Sequence, residues 1–299
     1  MKKLIYTAVV AITALFSLLA FAGCKKPPKI TVENEYLGTS DESLKVEGMS
    51  AYEMFAEAYS NWLAEDGYRR EAEIVFSLSI ASNIVGTRSA LINNIVEGDR
   101  IYSQEMSFGD GFAKGMTYAS KYYFDGTDAY YLKNENKKDV AYSDGKFTVK
   151  NWGEFTPYNG DVAAQNALVG KRWTVYNTTD DSFLASSHSD SVYKVNDTYY
   201  FTIVIDCGTE ALAGVQADMK AEYVRNMEAT ASSFWMENTV IDVAVRYVDG
   251  KLRFTEWLRK EKYGGKARDL MDVTCEETCY EKLFYDNCGI EDDDLLNLA

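Results

Sequence analysis

From residue 70 to residue 81 the chain alternates. Ala72, Ile74, Phe76, Leu78 and Ile80 are apolar, Glu71, Glu73, Ser77 and Ser79 are polar, and only Val75 breaks the pattern. A period of two is that of a strand with one buried face. Just upstream, in the segment Ser50 to Glu65, the period changes: Met54, Phe55, Ala58, Tyr59, Trp62 and Leu63 recur at helical spacing, Glu53, Glu57 and Glu65 stand opposite, and Asp66-Gly67 ends the run. This predicts an amphipathic helix. With Phe55, Tyr59 and Trp62 on its apolar side, it is the nearest element able to cover the face that carries Ile74, Phe76, Leu78 and Ile80.

Downstream, short turn signals punctuate apolar and aromatic runs. Glu97-Gly98-Asp99 separates 90–96 from 100–108, Asp125-Gly126 separates 116–124 from 129–133, and Asp144-Gly145 separates 139–143 from 147–151. Asn196-Asp197 and Asp249-Gly250 divide 192–195 from 199–206 and 240–248 from 252–262 in the same way. Tight hairpins need residues that tolerate positive φ, so the pattern predicts an antiparallel meander. Two further segments, 161–171 and 209–227, read as helices, the second capped by Thr209. No period repeats, and Pro157 is the only proline after residue 28. The expected fold is therefore α+β: one domain over 49–299, with a curved antiparallel sheet packed on one face by an N-terminal helix and one or two others.

The first 24 residues carry Lys2 and Lys3, an apolar run from Leu4 to Phe21, and then Ala22-Gly23-Cys24. That is an export signal. Its ending resembles the bacterial lipobox, with Phe21 where a leucine is usual; the resemblance implies cleavage after residue 23 and a lipid anchor on Cys24. Two or three acyl chains, at about 0.8 kcal/mol per buried CH₂, would hold the chain at a bacterial cell membrane or surface. Residues 24–48 mix charge, Pro-Pro, Ser and Gly, and are expected to form a flexible tether with a reach of about 25–30 Å.

Composition narrows the function. Of 299 residues, 46 are acidic and 31 basic, for a net charge of -15, which argues against nucleic acid as a partner. A single histidine removes most imidazole-based metal and acid–base chemistry. That histidine, His188, lies in Ser186-Ser187-His188-Ser189-Asp190; triads converge in space and not along one loop, so a solvated loop is expected. The acidic groups Asp180-Asp181 and Glu291 to Asp294 lack calcium-loop spacing and read as a turn and a frayed tail. Gly109-Asp110-Gly111 opens no phosphate-facing helix. No metal site, cofactor or catalytic residue is expected, and the chain reads as a non-enzyme.

Cys207, Cys275, Cys279 and Cys288 are the remaining cysteines. In an exported chain they suggest disulfides, with free thiols and a structural metal as the other readings. Cys275 and Cys279 would bridge only in a helix or turn, because on a strand they stand about 13 Å apart. Tyrosine is abundant, with 22 in the chain and doublets at Tyr122-Tyr123, Tyr130-Tyr131 and Tyr199-Tyr200. On a strand, each doublet puts one ring on each face, whether for ordinary strand packing or for the rim of a site.

A lipobox, a tether, an amphipathic helix and then strands joined by tyrosine-flanked Asp-Gly turns (Tyr122 to Gly126, Tyr247 to Gly250) resemble the half-barrel lipoproteins of the Lol-carrier and mycobacterial lipid-binding type. The resemblance implies a curved sheet plugged by helices around an apolar cavity for acyl chains. The expected function is thus a membrane-anchored module that binds a hydrophobic or amphiphilic ligand, with Phe55, Tyr59, Trp62, Ile74, Phe76, Leu78 and Ile80 as cavity residues. The alternative is a surface protein with a solid core that engages a protein or polysaccharide. A cavity is what separates them.

Overall fold

The computed structural model describes residues 29–170, 187–189, 191–206, 233–267, 271–286, 288–291 and 294–295. Helix α1 spans Ala51–Leu63 and α2 spans Val162–Gly170. Ten strands carry the architecture: β1 Gly67–Ile80, β2 Asn83–Glu97, β3 Arg100–Gly111, β4 Tyr118–Phe124, β5 Ala129–Asn134, β6 Val192–Val195, β7 Thr198–Ile205, β8 Thr239–Val248, β9 Lys251–Ala267 and β10 Met271–Phe284. They form one curved antiparallel sheet in the order β6-β7-β8-β9-β10-β1-β2-β3-β4-β5. Two meanders thus join at the centre, where the last strand pairs with the first from Phe284↔Arg69 to Val273↔Ile80.

The hairpins sit where turn chemistry puts them. Asp144 and Gly145 both have positive φ, as do Asp249 and Gly250, the geometry of a two-residue hairpin loop. Between β1 and β2, however, Ala81 and Ser82 take positive φ with no glycine, so the sequence carries no turn signal there and β2 begins seven residues before the expected 90. Strand β10 is absent from the sequence reading altogether. Its inward positions run Val273, Cys275, Glu277, Cys279, Glu281 and Leu283, and the two glutamates erase the apolar alternation.

One face of the sheet, here the inner face, carries both helices. Ser50 caps α1 by accepting from the Glu53 amide at 3.3 Å. The helix lies over β7 and β9 and is locked at its end by Asn61 donating to the Leu252 carbonyl at 2.9 Å and by Arg253 pairing with Glu65 at 2.9 Å. A shift of register at Ala244/Val245 adds one residue to β9, so that Phe254 and Trp257 both point inward. Trp62, without solvent exposure, meets Tyr59, Tyr68 and Trp257 at ring-centroid distances of 5.8, 5.9 and 5.7 Å, and Phe55 meets Phe254 at 5.4 Å. This half of the inner face is a packed aromatic core. Helix α2 lies on β2 and β3.

The outer face is strapped by both ends of the chain. Residues 29–36 alternate exposed and half-buried, and Ile30 and Val32 line a pocket of about 280 Å³ over Val75, Leu258 and Thr278. Glu33 then pairs with Lys282, Asn34 donates to the Tyr200 hydroxyl, and Tyr36 and Leu37 join Tyr200 and Ala244. Residues 24–48 were expected to swing free; from Lys29 onward the segment instead lies along the sheet, because its apolar positions fall at the strand period. The acidic tail is corrected likewise: Ile290 and Leu295 pack on Tyr102, Tyr123 and Phe155, and Lys121 donates to the Asp294 carbonyl at 2.9 Å.

His188 is not in a loop. Ser187–Ser189 forms a short strand on β7, with His188 opposite Val204. Residues 1–28, the expected helix at 209–227, Asp180-Asp181, Cys207 and Asp190 lie outside the described residues.

Candidate functional site

Between the two helices, the inner face of β9, β10, β1, β2 and β3 carries charge. Arg70 and Glu281 are both 2 % exposed and approach to 3.1 Å, yet Arg70 Nε and Glu281 Oε2 lack hydrogen-bond geometry. Arg259 contacts Glu261 at 2.6 Å and Glu277 at 3.2 Å, and Arg88 contacts Glu105 at 2.9 Å. Burial lowers the Arg259 pKa, but Glu261, Cys279, Glu277 and Glu281 outweigh it and the net shift is upward. The guanidinium therefore stays charged. Burial raises Glu277 against the pull of Arg259, and burial followed by the Glu281 charge raises Cys279.

The ionic stripe ends in a pocket. Strands β3, β4 and β5 and helix α2 enclose about 280 Å³, lined by Ser103, Glu105, Tyr118, Ser120, Tyr122, Tyr131, Lys133, Gln165 and Val169. The register explains the set, since Ser103 faces Tyr122, Tyr122 faces Tyr131, Glu105 faces Ser120 and Ser120 faces Lys133, all on one side. Each tyrosine doublet contributes one ring inward, as the sequence predicts, while Tyr123 and Tyr130 stack on the outer side at 6.4 Å. Helix α2 is positioned by Asn94 donating to the Val169 carbonyl at 3.0 Å and by Tyr122 donating to Asn166 Oδ1 at 2.6 Å.

The charges in this pocket have protein partners. Glu105 Oε1 accepts from Arg88 at 2.9 Å and from the Tyr118 hydroxyl at 2.5 Å, and Lys133 pairs with Glu135 at 2.6 Å. Burial, with Tyr158 nearby, pushes the Tyr122 phenol up to about 12, and burial also raises Tyr131. Both hydroxyls keep their protons at neutral pH. The pocket thus presents aromatic ring faces beside neutral hydroxyls and an amide, with its two charged groups already compensated.

The expected cavity residues fall into separate groups. Phe55, Tyr59 and Trp62 come together under α1, whereas Ile74 lies with Ala72, Ile92 and Cys279, and Phe76, Leu78 and Ile80 lie with Val85, Val273, Cys275, Phe234 and Tyr263. The helix was expected over Ile74 to Ile80; it covers Tyr68 and the β7 and β9 strands, which leaves the Ile74 group among the charges, with Cys279 between Glu277 and Glu281, and the Phe76 group toward the Ile80 end of β1. Apolar patches next to polar ground are compatible with a hydrophobic or amphiphilic ligand. Cys275, Cys279 and Cys288 are free thiols, and the first two share the inward side of β10 in extended backbone, which rules out a bridge between them. Among the described residues no group of histidine, cysteine or acidic side chains is arranged to hold a metal.

No protein-family model matches the chain. No curated protein matches it in sequence. Among solved structures, a DUF1329 family protein from Desulfovibrio piger is 11% identical over 81% of this chain and 93% of its own, with a TM-score of 0.25. Lipovitellin, from a study of its lipid–protein interactions, is 9% identical over 76% of this chain with a TM-score of 0.33, and this chain spans 26% of its length. A dehydratase from the difficidin assembly line has a TM-score of 0.14. At such scores none of these likenesses bears on function.

Sequence reasoning missed the pocket because its residues are ordinary ones. The available signal was parity: Ser103, Glu105 and Ser107 place three polar groups in succession on the face where Ile92 and Ala90 lie alongside. An inner face that turns polar midway has something other than a core to serve.

Proposed function

We propose that the protein is an exported, lipid-anchored binding protein of the bacterial envelope, without covalent chemistry, that holds a small amphiphilic molecule in the pocket between β3, β4, β5 and α2. The observation that carries this reading is the lining: three tyrosine rings and Val169 offer apolar faces, and Ser103, Ser120 and Gln165 offer hydrogen bonds, in a volume of about 280 Å³. That size is near the lower end of small-molecule sites and suits a ligand of one ring. Because Glu105 and Lys133 are compensated by Arg88, Tyr118 and Glu135, a neutral ligand with an apolar ring face and hydroxyl edges fits better than an ion. Anchoring rests on the lipobox at Cys24.

The test uses the full-length protein in nanodiscs. Isothermal titration should give binding of a short-chain alkyl glycoside that falls at least several-fold on Tyr131→Ala and is unaltered by Glu57→Gln on the exposed side of α1. Saturable binding of a fatty acid that Tyr131→Ala leaves unchanged would move the ligand to the apolar patches. The second reading, an interaction protein with a solid core, draws on the aromatic packing beneath α1. A pocket that takes up neither ligand, in protein that carries no co-purified small molecule by native mass spectrometry, decides for it.

A further inference from the structure

The way the N-terminal segment lies on the sheet restricts how the protein meets a membrane. Lys29, Ile30 and Val32 line a pocket of about 280 Å³ on the outer face together with Val75 of β1, Thr278 of β10 and Leu258 of β9. These strands are the middle of the sheet, and β10 and β1 have at least four ladder strands on either side. From Lys29 the chain is held by the Glu33–Lys282 pair, by Asn34 on Tyr200, and by Lys45 and Val46 in register with Tyr193 and Val192. Only five residue steps lead from Cys24 to Lys29. Fully extended, they span at most about 18 Å.

That reach is short against the sheet. From β1 to β5 there are four strand spacings, about 19 Å at 4.8 Å each, and from Val75 to the Gly67 end there are eight residues, about 26 Å along the strand. The β6 edge, three spacings from β9 (about 14 Å), and the Ile80 end, five residues from Val75 (about 17 Å), are nearer, but a lipid passing round either must also cross a packed layer of about 10 Å, which exceeds the reach; it therefore cannot place α1 or the pocket against the bilayer. We infer that the outer face around β9, β10 and β1 is the surface that rests toward the membrane, with α1, α2 and the tyrosine pocket turned to the aqueous side. The partner is the phospholipid headgroup layer. Acidic groups on this face have cationic partners: Lys260 pairs with Asp242, Lys262 bridges Glu237 and Glu276, and Lys282 pairs with Glu33. Lys25 and Lys26 stand beside the anchor.

This inference rests on acylation of Cys24, so intact-mass analysis of the purified full-length protein comes first; an unmodified Cys24 overturns both the anchoring and the orientation. With acylated protein in phosphatidylethanolamine/phosphatidylglycerol vesicles, a fluorescent amino acid is placed in separate variants at Lys262, on the outer face, and at Glu57, on the exposed side of α1. Headgroup-bound nitroxide lipid is expected to quench position 262 several-fold more than position 57. Insertion of twenty Gly/Ser residues after Lys26, which adds a root-mean-square reach of about 25 Å, should bring the two values together. Equal quenching without the insertion, or stronger quenching at position 57, in acylated protein overturns the orientation alone and leaves the anchor standing.

Discussion

Trp62→Ala tests whether the α1 half of the inner face is a packed core or a ligand chamber. The indole is fully buried and meets Tyr59, Tyr68, Phe254 and Trp257 at 5.8, 5.9, 6.5 and 5.7 Å between ring centroids, mostly edge to face. Truncating such a ring removes its transfer free energy and leaves a void among rigid aromatic neighbours, a loss of about 3–5 kcal/mol. Against a total stability of about 5–15 kcal/mol, that is a third or more for most of the range. In guanidinium titrations of the detergent-purified protein, followed by far-UV circular dichroism, the midpoint should fall strongly at unchanged slope, and Trp62→Phe should fall less. If Trp62 lines a chamber that holds acyl chains, truncation enlarges an existing space and changes ligand load more than stability. A loss under about 1 kcal/mol, an ordinary value for any substitution, would therefore refute the packed-core argument.

Arg70→Met should cost about 3–5 kcal/mol by leaving Glu281 buried and uncompensated, and Arg70→Met with Glu281→Met should recover most of it in the same titration; equal losses in both would mean that the pair is not coupled. Burial pushes the Cys275 thiol up to about 12, and Cys279 is raised as well, so alkylation of native protein should reach Cys288 before Cys275 and Cys279, which stay unmodified until unfolding, as read by peptide mass mapping. The sign of the pH dependence follows. A thiol whose folded pKa is raised contributes stability below its unfolded pKa near 9 and loses it as pH climbs toward 12, so Cys275→Ala should flatten the alkaline decline of the midpoint. Ile290→Asp should release the C-terminal strap from Tyr102, Tyr123 and Phe155, seen as faster hydrogen exchange in 288–295 and early proteolysis after Phe284, with the far-UV spectrum unchanged.

The local order of this chain is written in its sequence because the relevant forces are local. Alternation marks β1, helical spacing and Ser50 mark α1, and Asp-Gly or Asn-Asp pairs mark the hairpins that flank residues 144–145, 196–197 and 249–250, since backbone sterics alone select those residues. The tyrosine doublets likewise split between faces by the pleat alone. What the tertiary structure decided is everything that depends on partners distant along the chain. Strand β10 has no visible alternation because Glu277 and Glu281 point inward, where their ion-pair partners Arg259 and Arg70 lie on other strands. Its pairing with β1 sets first against last, a contact between residues about two hundred positions apart that no local period encodes. The extra residue in β9 that turns both Phe254 and Trp257 inward, and so draws α1 over β9 instead of over Ile74 to Ile80, is a property of the ladder. The pocket is decided the same way: Ser103, Glu105, Tyr122, Tyr131 and Lys133 are unremarkable in sequence and become a site only because two registers and one helix bring their side chains to one side of the sheet.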